Sequence, residues 1–93
     1  MAVTPDDPAF TDRRFHVLLA AKTPGKVWRR RGEDYLLTSA GTIETVTGVT
    51  RWLQDSQLLK EGPARALGGR MLVPTVDGGT LLRQRLHLME EKK

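Results

Sequence analysis

The chain has 93 residues, 39% of them hydrophobic, with no cysteine, and 15 Lys plus Arg against 11 Asp plus Glu for a formal charge of +4. Single cores are usually built from about 50 to 200 residues, so one domain of modest stability is expected and a second is excluded. Without cysteine there is neither a disulfide scaffold nor a thiolate zinc site, and the two histidines are too far apart in sequence to suggest a metal set.

Residues 1 to 7 are polar, contain Pro5, and read as a flexible leader to a single domain over 8 to 93. Asp6 and Asp7, with no apolar stretch behind a basic start, do not fit a signal peptide, and no run of about 18 apolar residues follows. A cytoplasmic protein without membrane contact is therefore expected. Asp7 and Pro8 fit a helix cap and first position, and Phe10, Arg14, Val17, Leu18 and Ala21 recur at helical spacing, which predicts a first helix to about Lys22. Phe15, His16 and Val17 also favour extended backbone, so a strand over 13 to 21 stays open.

Gly32, Glu33 and Asp34 separate two short extended candidates, Lys26 to Arg30 and Tyr35 to Thr38, and predict a hairpin. Ile43, Val46, Val49 and Leu53, spaced three, three and four apart, share one helical face, with Trp52 beside them. Gly48 inside that run leaves room for a break. Gly62 and Pro63 stop the pattern, and Gly68 and Gly69 mark a second hairpin within 65 to 73. Asp77, Gly78, Gly79 and Thr80 read as a turn whose Asp or Thr caps a last helix carrying Leu82, Leu86 and Met89, although Leu82, Gln84, Leu86 and Leu88 also alternate as in a strand. The resulting fold class is α+β, with two or three helices and one or two short hairpins. Its expected core joins the helix from Val46 to Leu53, Trp52 included, to Leu18, Tyr35, Leu72 and Leu86.

Charge is unevenly placed. Between Arg13 and Arg31 stand seven cations and no acid, so the rest of the chain sums to −3 (+4 less +7). Such asymmetry attracts polyanions. Within it, Lys26, Trp28, Arg29, Arg30 and Arg31 combine cations that neutralise phosphate with an aromatic ring able to stack on an unpaired base, though a lone Trp is more often simply buried.

The stretch from Leu37-Thr38 through Arg51-Trp52-Leu53 and Leu58-Leu59 to Gly68-Gly69-Arg70 and Pro74 resembles the excisionase and MerR-like winged-helix family over about residues 35 to 83. The resemblance implies sequence-specific DNA binding, with a short helix opening at Leu37-Thr38, a recognition helix presenting Arg51 and Gln54 to the major groove, Trp52 and Leu53 in the core, and Arg70 on a wing. Arginine can pair with guanine and glutamine with adenine, while a wing arginine neutralises phosphate. The spacing from Thr38 to Trp52 is about one helical turn shorter than the family norm, which puts that first helix in doubt.

His16 and His87 have no neighbouring nucleophile or ligand spacing, Ser39 and Ser56 have no activating context, and Glu44 and Asp55 look like helix-face charges. No cofactor and no enzymatic activity are expected. The expected function is that of a small DNA-binding accessory factor of transcription or recombination, of bacterial or phage type. The alternative is a protein-interaction module whose basic face meets an acidic protein, with self-association into a homo-oligomer also open.

Overall fold

The computed structural model describes residues 3–91. The leader is tied down where it is described, while Met1, Ala2, Lys92 and Lys93 lie outside those residues. Asp7 caps a turn by accepting from the Ala9 amide at 2.8 Å, and Arg85 Nη1 donates to the carbonyls of Pro5 and Phe10 at 2.8 and 3.2 Å. Phe10 is fully buried against Phe15, and this apolar anchor fixes the segment before it.

The first helix, α1 (Asp12–Ala20), starts four residues later than a cap at Asp7 suggests, because Thr11 is its cap. Extended at ψ 163°, Thr11 accepts from the Arg14 amide at 3.3 Å and satisfies one of the free donors of the first turn. The segment is helical, with Phe15, Val17 and Leu18 buried, so it is not the strand left open for it.

Strands β1 (Val27–Arg30) and β2 (Glu33–Leu37) form the expected hairpin. Arg31 and Gly32 make its two-residue turn with φ of 54° and 79°, the positive pair that a type I′ connection requires. Leu37 ends β2, and Thr38 to Thr42 make a tight turn in which the Thr38 amide donates to the Thr42 carbonyl at 2.8 Å. No helix opens at Leu37-Thr38. The chain instead enters β3 (Ile43–Thr45), paired with β2, so Ile43 belongs to a strand rather than to the helical face its spacing suggested.

Helix α2 (Thr47–Asp55) runs unbroken through the exposed Gly48. It closes with Gln57 at φ 62°: the Gln57 amide donates to Gln54 O and the Leu58 amide to Leu53 O, a Schellman pattern that brings Leu53 against Leu58. A second hairpin follows, β4 (Leu59–Ala64) and β5 (Arg70–Pro74), and then α3 (Val76–Glu91). Thr75, rather than Asp77 or Thr80, caps α3, accepting from the Gly78 amide at 3.0 Å, and the two glycines read as a turn lie inside the helix. Gly78 is needed there because a Cβ would collide with the Leu58 carbonyl oxygen.

The five strands form one antiparallel sheet in the order β3-β2-β1-β5-β4. With three helices this makes an α+β domain. Val27, Leu36, Leu59 and Leu72 point to one face and meet Phe15, Val17, Leu18, Leu53, Leu81 and Leu82 from the helices in a single core. Of the residues expected there, Leu18, Leu53 and Leu72 are buried, Trp52 and Leu86 are half-buried against the core, and Tyr35 lies on the other side of the sheet. Among the described residues, no helix is long and apolar enough to cross a membrane.

Candidate functional site

Successive side chains of a strand point to opposite faces, so the register sorts the basic cluster. Val27 and Arg29 face the helices, whereas Trp28 and Arg30 face away. The antiparallel pairs Trp28 with Met71, Trp28 with Tyr35, and Tyr35 with Thr45 set a row across β5, β1, β2 and β3 on the helix-free face. A one-sided antiparallel sheet usually turns polar residues to water. Here the centre of that face is aromatic.

Trp28 is only 5% exposed although it stands outside the core between helices and sheet. Its neighbours on the outer face cover it: the Tyr35 ring is stacked at 5.8 Å with a 29° interplanar angle, and the Arg65 guanidinium lies 3.9 Å over the indole. Arg65 is held there by a hydrogen bond from its Nε to the Gly25 carbonyl at 3.2 Å. Beside this stack, Trp28, Tyr35, Arg30, Arg31 and Ile43 line a shallow depression of about 290 Å³. The Arg30 guanidinium lies against Gly68 of the β4 to β5 turn, and Ile43 is 63% exposed at the rim. Among the described residues, no carboxylate comes within 4.0 Å of Arg30, Arg31 or Arg65.

Arg29 has the opposite fate. On the helix side its Nε and Nη2 donate to the two carboxylate oxygens of the fully buried Asp34 at 2.7 and 2.9 Å, and Nη2 also donates to Gln54 Oε1 at 2.7 Å. Thr50 Oγ1 donates to Asp34, the Asp34 amide donates to Thr47 Oγ1 at 3.0 Å, and Thr47 Oγ1 in turn donates to Glu33 at 2.6 Å. The Asp34 hydrogen bonds hold the Arg29 pKa above its ordinary value against the opposing effect of burial, with the Asp34 and Glu61 charges adding to the rise. This network bolts α2 to the β1 to β2 hairpin.

The eight side chains singled out as nucleic-acid contacts therefore divide. Trp28, Arg30 and Arg31 come together on the helix-free face, though Trp28 shows little of its own surface. Arg29 and Gln54 are bonded to each other inside the fold and are not presented to a ligand, because alternation turns Arg29 inward and α2 places Gln54 over it. Arg51 is exposed on α2 without Gln54 beside it as a free partner, so the pair implied for a recognition helix is not formed. Arg70 stands opposite Arg29 in the register and donates to the Gly62 carbonyl at 3.3 Å, and Lys26 lines a separate groove with His16, Leu19 and Leu37. Sequence reasoning missed Tyr35 and Arg65 as members of the site. The alternation of Trp28 with Arg30, carried across the hairpin, is the signal that could have found Tyr35.

Elsewhere, His16 Nδ1 lies 2.6 Å from the Asp12 carbonyl and His87 Nε2 lies 2.9 Å from Glu91 Oε1, both on exposed helix surface. A larger groove of about 480 Å³ lies between the N-terminal segment and α3, walled by Asp6, Asp7 and Asp12 and closed by Arg85, which bonds Asp12 at 2.8 Å. Among the described residues no three His, Asp or Glu side chains are grouped to hold a metal. Comparison with protein-family models, curated proteins and solved structures finds no match to this chain.

Proposed function

We propose that the protein binds nucleic acid, DNA first among the candidates, on the helix-free face of its sheet. The carrying observation is the meeting of Arg30, Arg31 and Arg65, none of them neutralised by a carboxylate among the described residues, around the Trp28 and Tyr35 stack. Cations without partners release counterions when they meet phosphate, and aromatic groups beside them give bases a surface to lie on. Arg31 adds a second support. At φ 54° it occupies a turn position where Gly or Asn is normally found, a conformation that disfavours other L-residues by roughly 1–2 kcal/mol. An arginine at that position in spite of its backbone supports a role for its side chain.

In this reading the inward network of Asp34, Arg29 and Gln54 is scaffold, and a duplex-reading α2 is disfavoured because Gln54 is engaged. A cytoplasmic accessory factor of transcription or recombination, of bacterial or phage type, is the role that fits such a module. The rival occupant is an acidic protein surface, favoured by the exposed Ile43 and by Leu67, 77% exposed in the turn between β4 and β5. The test is affinity for a labelled oligonucleotide between about 50 and 200 mM salt, for the native chain and for a variant with Arg30, Arg31 and Arg65 changed to Gln. The expected result is a steep loss of affinity with salt and a log-log slope smaller by about 2–3 in the variant. No binding at low salt, or an unchanged slope, overturns the reading, and capture of an acidic peptide in place of nucleic acid moves it to a protein partner.

A further inference from the structure

Resting on that reading, we infer that the preferred ligand is single-stranded rather than duplex nucleic acid, with an unpaired base stacking at Tyr35 and Trp28. The argument is geometric. Five paired strands at about 4.8 Å apart make a surface roughly 19 Å wide, against about 12 Å for the major groove of B-DNA, which admits one helix or a two-stranded ribbon. The aromatic row sits at the centre of this surface, on β1 and β2, with β3 flanking it on one side and β5 and β4 on the other. Tyr35 and Trp28 therefore cannot enter a groove, and in a duplex the flat faces of the bases are hidden against one another. Only an unpaired nucleotide offers a ring face to a flat sheet.

The site also holds a stand-in for that base. A planar guanidinium at stacking distance over an indole occupies the space of a nucleobase, and Arg65 does this 3.9 Å above Trp28. Its Nε bond to the Gly25 carbonyl, at 3.2 Å, is the one hydrogen bond that holds the Arg65 side chain among the described residues. When a base takes this place, Arg65 swings out and becomes a phosphate contact beside Arg30 and Arg31. The low exposure of Trp28 in the free protein is then the resting state of a covered platform.

The test uses a short oligothymidylate strand and a duplex of the same length, titrated into a Trp52→Phe protein in which Trp28 is the sole tryptophan. Tighter binding of the strand than of the duplex by at least tenfold, with quenching of Trp28 emission by the strand, is expected. In the otherwise native chain, Tyr35→Leu weakens binding of the strand by roughly five- to hundredfold without changing the salt slope, since no charge is lost, and Tyr35→Phe restores it. Equal or tighter binding of the duplex, or an affinity for the strand that Tyr35→Leu does not change, overturns the inference while leaving nucleic-acid binding standing. Failure of both probes to bind at low salt removes the proposed function itself.

Discussion

Replacing Asp34 with Ala should strongly destabilise the protein without removing any side chain from the helix-free face. The carboxylate is 0% exposed and accepts from Arg29 Nε, Arg29 Nη2 and Thr50 Oγ1. Without it, the Arg29 guanidinium, whose side chain is 17% exposed, keeps only Gln54 at 2.7 Å and a distant Glu61 at 4.0 Å. Breaking a buried pair by removing one partner destabilises by about 3–5 kcal/mol, because the other charge stays buried without compensation. Against a total stability of about 5–14 kcal/mol for a chain of this size, that is a large fraction. Urea unfolding followed by far-ultraviolet circular dichroism reads it directly: at a slope of about 1–3 kcal/mol/M the midpoint falls by more than about 1 M. Substituting both partners, Arg29→Met with Asp34→Leu, removes the uncompensated charge and should recover most of the loss, since apolar replacements of buried pairs are often neutral. An Asp34→Ala protein within about 0.5 kcal/mol of the native chain, or a double variant as unstable as the single one, would refute the reasoning.

Other expectations separate scaffold from site. Arg31→Asn should raise the thermal midpoint, by relieving part of the roughly 1–2 kcal/mol cost of the positive φ, while weakening nucleic-acid binding in the same protein; a variant that loses stability contradicts the account of the turn. Gly78→Ala should destabilise by at least about 1–3 kcal/mol in thermal melts, because α3 must lift off the Leu58 carbonyl. Trp28→Ala should destabilise more than Trp52→Ala, with the buried indole alone reaching about 3–5 kcal/mol; chemical denaturation of the two variants side by side decides the order.

The α+β class and most of its elements were legible because local signals agreed with the tertiary structure. Gly32 sits where the β1 to β2 turn needs a positive φ, and Gly68 and Gly69 do the same between β4 and β5. Where local and tertiary demands diverged, the sequence misled. Ile43 stands three residues before Val46, which mimics a helical face, yet pairing with β2 makes it a strand residue. Gly78 looks like a turn glycine and is a helix residue made small by the approach of a neighbouring carbonyl. In the candidate site, the charge run was visible but its division was not. Arg29 and Arg30 are adjacent in sequence and identical in chemistry, and only the pleat sends one to Asp34 and the other to the open face. Asp34, read as a turn residue, shows nothing in the sequence of its buried role, because its partners on α2, Thr47 and Thr50, stand 13 and 16 residues away.

The most direct test is a map of backbone amide shifts as a single-stranded oligonucleotide is added at low salt. The account predicts perturbations concentrated on β1, β2 and β5, at Trp28, Arg30, Arg31, Tyr35 and Met71, with the indole signal of Trp28 among the largest. Shifts centred on α2 around Arg51, with the sheet unmoved, would contradict it.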